Sequence, residues 1–432
     1  MLQQTPEFLR VPERMRSVDR LFRNRVLEEL GRIAPGPLVI ADEAGAVQLG
    51  AGDAAPVWID VRRPRFYRRV ALGGTLGLAE SWIDGDWECA DLERLFTLFA
   101  SGSAVAELER GGGWLVGRIQ RFAQWRNRNT RRGARRNIEA HYDLGNDFYA
   151  RMLDATMMYS CAIWDNEHES LETAQVRKLD HICRKLGLTS EHHLLEIGTG
   201  WGAMAAWAAA KYGCRVTTTT ISPAQHAFAT ERIQRLGCAD RVTVLFEDYR
   251  DLKGRYDRIV SIEMIEAVGR EGLPTYFRTL DRLLADDGLA LVQAIVLNDD
   301  RYEQHIRELD MIQKYVFPGS VIPSVSVLAE AARAMADCRL IHLEDIGPHY
   351  ARTLREWDRR FSASWPEIRG RRGFDDRFWR IWRYYLNYCA AGFASGYLGD
   401  VQLLWARQTA TRPRIGLPAA EPGTWLEASA TC

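Results

Sequence analysis

The stretch that most constrains this chain runs from His193 to Ala205, HLLEIGTGWGAMA. A short apolar run ends in three alternate glycines, Gly198, Gly200 and Gly202, and an alanine-rich segment of good helix propensity follows through Lys211. Strand, tight turn and helix in that order make the opening unit of a nucleotide-binding α/β domain. Glycine lets backbone approach a ligand where a Cβ would collide, although a tight strand-to-helix turn needs glycine on structural grounds alone.

Glu196, two residues ahead of the first glycine, narrows the ligand. A pyrophosphate at a helix start wants bare N–H groups and positive charge. A carboxylate would repel it, and neither Lys nor Arg occurs between Gly198 and Ala210. A ligand with a cationic amine or sulfonium is attracted instead, and S-adenosylmethionine carries both. A nicotinamide dinucleotide is further disfavoured because no acid lies between Ile221 and Gln225, where a ribose partner is expected.

After the loop, strand-like and helix-like stretches alternate. Residues 214–221 read as a strand, 225–236 as a helix, 242–246 as a strand running into Asp248, 256–262 as a strand followed by 263–268, 273–284 as a helix and 289–296 as a strand. Strongly apolar strands in β-α alternation imply a parallel sheet covered on both faces, with its ligand crevice beyond the strands' carboxyl ends. Glu196, Thr220, Asp248, Glu266 and Ile295 all fall at or just past such ends.

The chain has 432 residues, 47% of them hydrophobic, which suffices for two or three units. Lys plus Arg equals Asp plus Glu at 57 each, so no global field recruits nucleic acid. Eight cysteines are scattered without a CxxC pair, which disfavours a structural metal or a disulfide framework and suits a reducing cytosol. No apolar stretch reaches the roughly 18–20 residues of a membrane span, and residues 1–30 lack the apolar core of a signal peptide.

Residues 1–125 read as a first unit, with strand-like pieces at 38–40 and 57–59, packing and turn glycines between Gly73 and Gly85, and a helix from Leu92 to Phe99. Residues 126–136 carry six arginines (126, 128, 131, 132, 135, 136) without an acid. They form either a solvated linker or a footprint for anionic lipid, worth roughly 1 kcal/mol per basic residue near a charged leaflet. A second unit spans 137–410; beyond residue 300 it turns helical and rich in aromatics, which pack a core or roof an apolar channel. Residues 411–432, with Pro413, Pro418 and Pro422, read as a loose tail.

Ordered segments from Gly77 to Glu88, His141 to Tyr149, Tyr159 to Trp164, the glycine loop, Thr220 to Gln225, Asp248 to Leu252, Ile265 to Gly269, Lys314 to Pro318, Gly347 to Leu354 and Trp382 to Leu386 resemble the cyclopropane-fatty-acyl-phospholipid synthase family, relatives of the mycolic acid cyclopropane synthases. The resemblance implies an α/β fold: a Rossmann-like class I methyltransferase core with a small N-terminal domain and a helical lid over a lipid channel. It implies an enzyme that moves a methyl group from S-adenosylmethionine to a cis double bond of a phospholipid acyl chain and closes a cyclopropane, with bound bicarbonate taking the proton. It also implies a cytoplasmic protein touching the inner face of the membrane. A homodimer, and a reductase partner for a methyl-branched product, are left open.

Carried over by position, Tyr159 and Ser160 resemble residues holding the donor's methionine end, Gly198, Gly200 and Gly202 line it with Glu196 nearby, Thr220 and Gln225 match ribose-binding positions, and Asp248 matches the acidic partner of the adenine amine. The bicarbonate positions fall on Cys161, Glu266, Gln293, Ile295 and Tyr350, with Cys161 and Ile295 acting through their backbone. Gln293 and Ala267 stand where many bacterial members carry His; Gln donates a hydrogen bond but carries no charge. Ser320-Val321-Ile322 is a further departure near the lipid path. These departures keep methylation of the alkene without ring closure as the alternative; a non-catalytic lipid-binding relative is a third reading, against which the intact glycine loop, Glu266 and Tyr350 argue.

Overall fold

The computed structural model describes residues 13–100, 145–371, 373–413, 415–416, 419 and 423–426. The arginine-rich stretch 126–136 and His141 to Leu144 lie outside the described residues. The chain divides into two compact units.

In the first unit, β1 (Leu38–Asp42), β2 (Gly45–Leu49), β3 (Val57–Val61) and β4 (Trp87–Glu88) form a sheet in the order β2-β1-β3-β4. Helices Ser17–Ile33, Arg65–Ile83 and Leu92–Ala100 accompany it. The glycines at 73–77 lie inside the second of these helices, which kinks at Gly74 (φ 54°, ψ −134°). A Cβ on Gly77 would sit 2.0 Å from the Arg69 carbonyl oxygen, so the kink requires glycine there. The sequence boundaries 1–125 and 137–410 are contiguous, whereas this unit also takes in residues 308–316 and 369–395. The reason is aromatic packing: Phe96 lies 4.7 Å from the Tyr384 ring and 5.5 Å from Tyr388, both on helix Asp376–Ala394.

The second unit holds β5 (His193–Ile197), β6 (Arg215–Thr220), β7 (Val242–Phe246), β8 (Tyr256–Ile262), β9 (Leu284–Leu297), β10 (Cys338–Asp345) and β11 (Leu398–Arg407), in the order β10-β11-β9-β8-β5-β6-β7. The five strands from β9 to β7 are parallel; β11 and β10 add antiparallel pairs at one edge. Those two edge strands were not expected from a region that reads as helical.

Side chains alternate between the sheet's faces as the two-residue strand period demands. Leu194, Leu289, Leu291 and Leu404 join one apolar cluster with helices Leu171–Lys185 and Ala203–Tyr212. Leu195, Ala290, Val292 and Leu403 join the other with helix Leu273–Leu283. Within the stretch read as a loose tail, Trp425 is buried and stacks on Trp207 at 6.4 Å.

Strand order reverses at β5 and β8, so the crevice of such a sheet opens beyond their carboxyl ends. Among the described residues, no helix is long and apolar enough to cross a membrane.

Candidate active site

The loop after β5 uses left-handed backbone at Gly198 (φ 104°), Gly200 (φ 51°) and Gly202 (φ 86°), and helix Ala203–Tyr212 starts at once. Gly198 and Thr199 N–H groups donate to the Thr219 carbonyl at 3.1 and 3.0 Å, tying the loop to β6. A Cβ on Gly200 would meet nothing within 4 Å, so open space lies over the loop. A Cβ on Gly198 would lie 3.4 Å from Met264, which places the residues after β8 directly beside this ledge.

Glu196 is 3% exposed, and its Oε2 accepts the Thr218 hydroxyl at 2.6 Å. Burial pushes its carboxyl up to about 8, against smaller opposing effects of that hydrogen bond and the Lys178 charge. Thr220 and Gln225 meet: the hydroxyl donates to Gln225 Oε1 at 2.8 Å. The Asp248 carboxylate is paired with Arg250 at 2.6 Å. Tyr159 stands among aromatic rings, 5.4 Å from Tyr149, 5.1 Å from Trp357 and 6.2 Å from Phe317, and Trp201 of the glycine loop lies 4.9 Å from Tyr149. Ser160 Oγ accepts from the buried Lys178 ammonium at 2.6 Å.

The densest polar cluster follows β8 and centres on a residue that sequence reasoning passed over. Glu263 has φ +46°, a conformation that costs a non-glycine residue and persists where surrounding structure enforces it. Its Oε1 accepts the Cys161 N–H at 2.7 Å and Gln293 Nε2 at 2.8 Å, and its Oε2 accepts the Tyr350 hydroxyl at 2.5 Å. Glu263 stays partly exposed. Gln293 Nε2 also reaches Asp400 Oδ2 at 2.9 Å, and Gln293 Oε1 accepts from Gln402 at 3.0 Å.

Two acids and a base crowd this cluster. Asp400 is fully buried; burial and then the Glu263 charge raise its carboxyl well above the ordinary range. Burial raises Glu263 too, but its three donors favour the anion, so Glu263 is the ionised member of the pair and Asp400 keeps the proton. Burial lowers Lys178 to about 8, although the Glu263 charge pulls the other way.

Glu266 stands apart. Its Oε1 accepts the Ile295 N–H at 2.6 Å, and its buried Oε2 has no hydrogen-bond partner among the described residues. Burial, then the Glu263 charge, raises it to about 8. Of the five positions carried over for an anion, Cys161, Gln293 and Tyr350 therefore converge on Glu263, while Ile295 binds Glu266.

Glu263 carried a signal, an acid directly after the apolar run of β8, the same rule that drew attention to Glu196. Lys178 also carried one, because it lies on the apolar stripe of its helix with Ala174 and Ile182. Asp400 carried none, since β11 was not recognised as a strand.

Comparison with known proteins gives the family. Residues 129–403 match mycolic acid cyclopropane synthetase. The chain belongs to that family. It is 36% identical over 393 residues to the tuberculostearic acid methyltransferase of Mycobacterium tuberculosis, covering 89% of this chain and 91% of the relative. It is 40% identical over 374 residues to the cyclopropane-fatty-acyl-phospholipid synthase of Escherichia coli K12, covering 81% and 87%. Among solved structures, a mycolic acid cyclopropane synthase complexed with SAH and CTAB superposes with a TM-score of 0.58 at 31% identity, covering 63% of this chain and 98% of that one. Family membership makes this chain an S-adenosylmethionine-dependent methyltransferase with the class I fold, acting on lipid acyl chains.

Proposed function

We propose that the enzyme adds one carbon from S-adenosylmethionine to a cis double bond in a phospholipid acyl chain and closes a cyclopropane ring. The observation that supports this reading is the nearness of the open glycine ledge to Met264, 3.4 Å from where a Cβ on Gly198 would lie. Met264 is next in the chain to Glu263, whose cluster shares Tyr350 and Cys161 with the segments that carry the Tyr159 aromatic wall.

The residues fit the donor. The space over Gly200 and the carboxyl group of Glu196 suit its amine and sulfonium, and that donor supplies an electrophilic methyl group. Tyr159 and Ser160 would hold the methionine end, Gly198, Gly200 and Gly202 would line it, Thr220 and Gln225 would take the ribose, and Asp248 the adenine amine. The same test applied to bicarbonate gives the opposite answer, because Cys161 N–H, Gln293 and Tyr350 are already engaged by Glu263.

An alkene is a weak nucleophile, and the cation it forms would be trapped by water. Tyr149, Tyr159, Trp201 and Trp357 therefore serve to exclude water and to present ring faces to developing positive charge. The arginines at 126–136 would hold the enzyme on anionic lipid.

A second reading is methyl transfer without ring closure, and the similarity to a tuberculostearic acid methyltransferase favours it. Purified enzyme, vesicles of a cis-unsaturated phospholipid and methyl-labelled donor separate the two. Labelled chains that have lost the alkene without any reductase support the ring. Labelled chains that keep a double bond support the second reading, and an absence of label in lipid overturns both.

A further inference from the structure

We infer that Glu263 is the base of this enzyme, a carboxylate built into the chain in place of a bound anion. The inference rests on the alkene-methylation reading above and serves either product.

Three independent elements supply its cradle. Cys161 N–H comes from the segment after helix Asn146–Met152, Gln293 from β9 and the Tyr350 hydroxyl from the start of helix Tyr350–Ile368. These donors would recognise any small oxyanion, and the chain has filled them with its own. Left-handed backbone at Glu263, pinned by its N–H donating to the Gln293 carbonyl at 2.8 Å, turns the side chain back into that cradle.

The neighbours keep this carboxylate ionised yet able to accept a proton. Asp400, bonded to the same Gln293 amide and hydrogen-bonded to Glu263 itself, holds the proton of the pair. Lys178 contributes positive charge, while Glu266 is neutral near pH 7. The Cys161 thiol is held well above its ordinary range by burial and does not compete as a base. Glu263 directly precedes Met264, whose side chain would lie 3.4 Å from a Cβ on Gly198, so the carboxylate's own segment borders the glycine ledge.

The step balances. The alkene's π pair bonds to the donor's methyl carbon as the carbon–sulfur bond breaks, and that bonding pair stays on sulfur. A carbocation remains on the neighbouring alkene carbon. Glu263 takes a proton from the newly attached methyl group, and the freed C–H pair closes the third side of the ring. When a hydride shift precedes proton loss, the same pair forms an exocyclic double bond instead. The proton leaves Glu263 for water on product release.

The test uses full-length enzyme, vesicles of palmitoyl-oleoyl phosphatidylglycerol and buffer stripped of carbon dioxide, with thioether product and lipid both measured. Wild type is expected to turn over equally with and without added bicarbonate. Glu263→Gln keeps the cradle filled and is expected to lose about a hundredfold or more in turnover without change in donor affinity and without rescue by bicarbonate. Glu263→Gly opens the cradle and is expected to regain turnover when bicarbonate or formate is added. Loss of wild-type turnover on bicarbonate depletion, or near-full activity of Glu263→Gln, overturns the inference. The depletion arm needs no variant, so it decides even where a substitution fails to fold. Wild type that forms no thioether product on any alkene overturns the alkene-methylation reading itself, and the inference falls with it.

Discussion

Glu196→Gln separates what the glycine-loop carboxylate does for ligand binding from what it costs the fold. The Glu196 carboxyl is raised from 4.5 to about 8, chiefly by burial. A raised folded value means that the protonated fold is favoured, so stability is full below pH 4.5 and declines as pH rises toward 8. Each pH unit across that window removes about 1.4 kcal/mol. At pH 7 the accumulated loss is about 3 kcal/mol, and glutamine, which can still accept the Thr218 hydroxyl, avoids it. Denaturation without ligand should therefore show Glu196→Gln more stable than wild type at pH 7 and equal to it near pH 4.5. Because Glu196 is mostly protonated at pH 7, a cationic donor must expel that proton to gain an ion pair. Calorimetry in buffers of different ionisation enthalpy should show close to one proton released per donor bound. The variant should release fewer protons and bind about tenfold more weakly. A variant whose stability advantage over wild type is no larger at pH 7 than at pH 4.5, or one that binds donor with wild-type affinity and proton release, would refute this reasoning.

Other expectations follow from the same geometry. Glu266→Gln should keep donor affinity and change turnover little at pH 7, read by calorimetry beside initial rates, because its carboxyl is already neutral there and lies beside the Glu263 cluster rather than the donor loop. The Cys161 thiol should resist iodoacetamide at pH 8 in the folded enzyme and react once it is unfolded, as read by intact mass. Arg232→Ala should cost roughly 3 kcal/mol in chemical denaturation. This buried guanidinium donates to the carbonyls of Thr156 at 2.7 Å and Ala155 at 2.8 Å. Reversing Arg131, Arg132 and Arg135 should lower activity on anionic vesicles and spare it on detergent-dispersed lipid; equal loss on both would assign the run to structure.

Much of the core was legible because its signals are local. An apolar run into alternate glycines dictates strand, turn and helix, and the structure places Glu196, Thr220, Asp248, Glu266 and Ile295 at the carboxyl ends of parallel strands or just past them. Long-range facts were not legible. β10 and β11 lie among helical and aromatic segments, and only long-range pairing, β11 with β9 and β10 with β11, gives them partners. Asp400 matters because register sets it opposite Ile295, beside Gln293. Trp425 looked loose because nothing near it in sequence shows that Trp207 lies within stacking distance. The Glu263 cradle draws donors from residues 161, 293 and 350, a convergence that no spacing along the chain reveals.

The most direct test of the account is an experimental structure of the enzyme grown with S-adenosylhomocysteine, a lipid-like amphiphile and excess bicarbonate. The account predicts the nucleoside product along Gly198 to Gly202, an acyl chain against the Tyr159 wall, and the Glu263 carboxylate held by Cys161 N–H, Gln293 and Tyr350. A planar three-oxygen anion on those donors with Glu263 turned away, or side chains filling the space over the glycine loop, would contradict it.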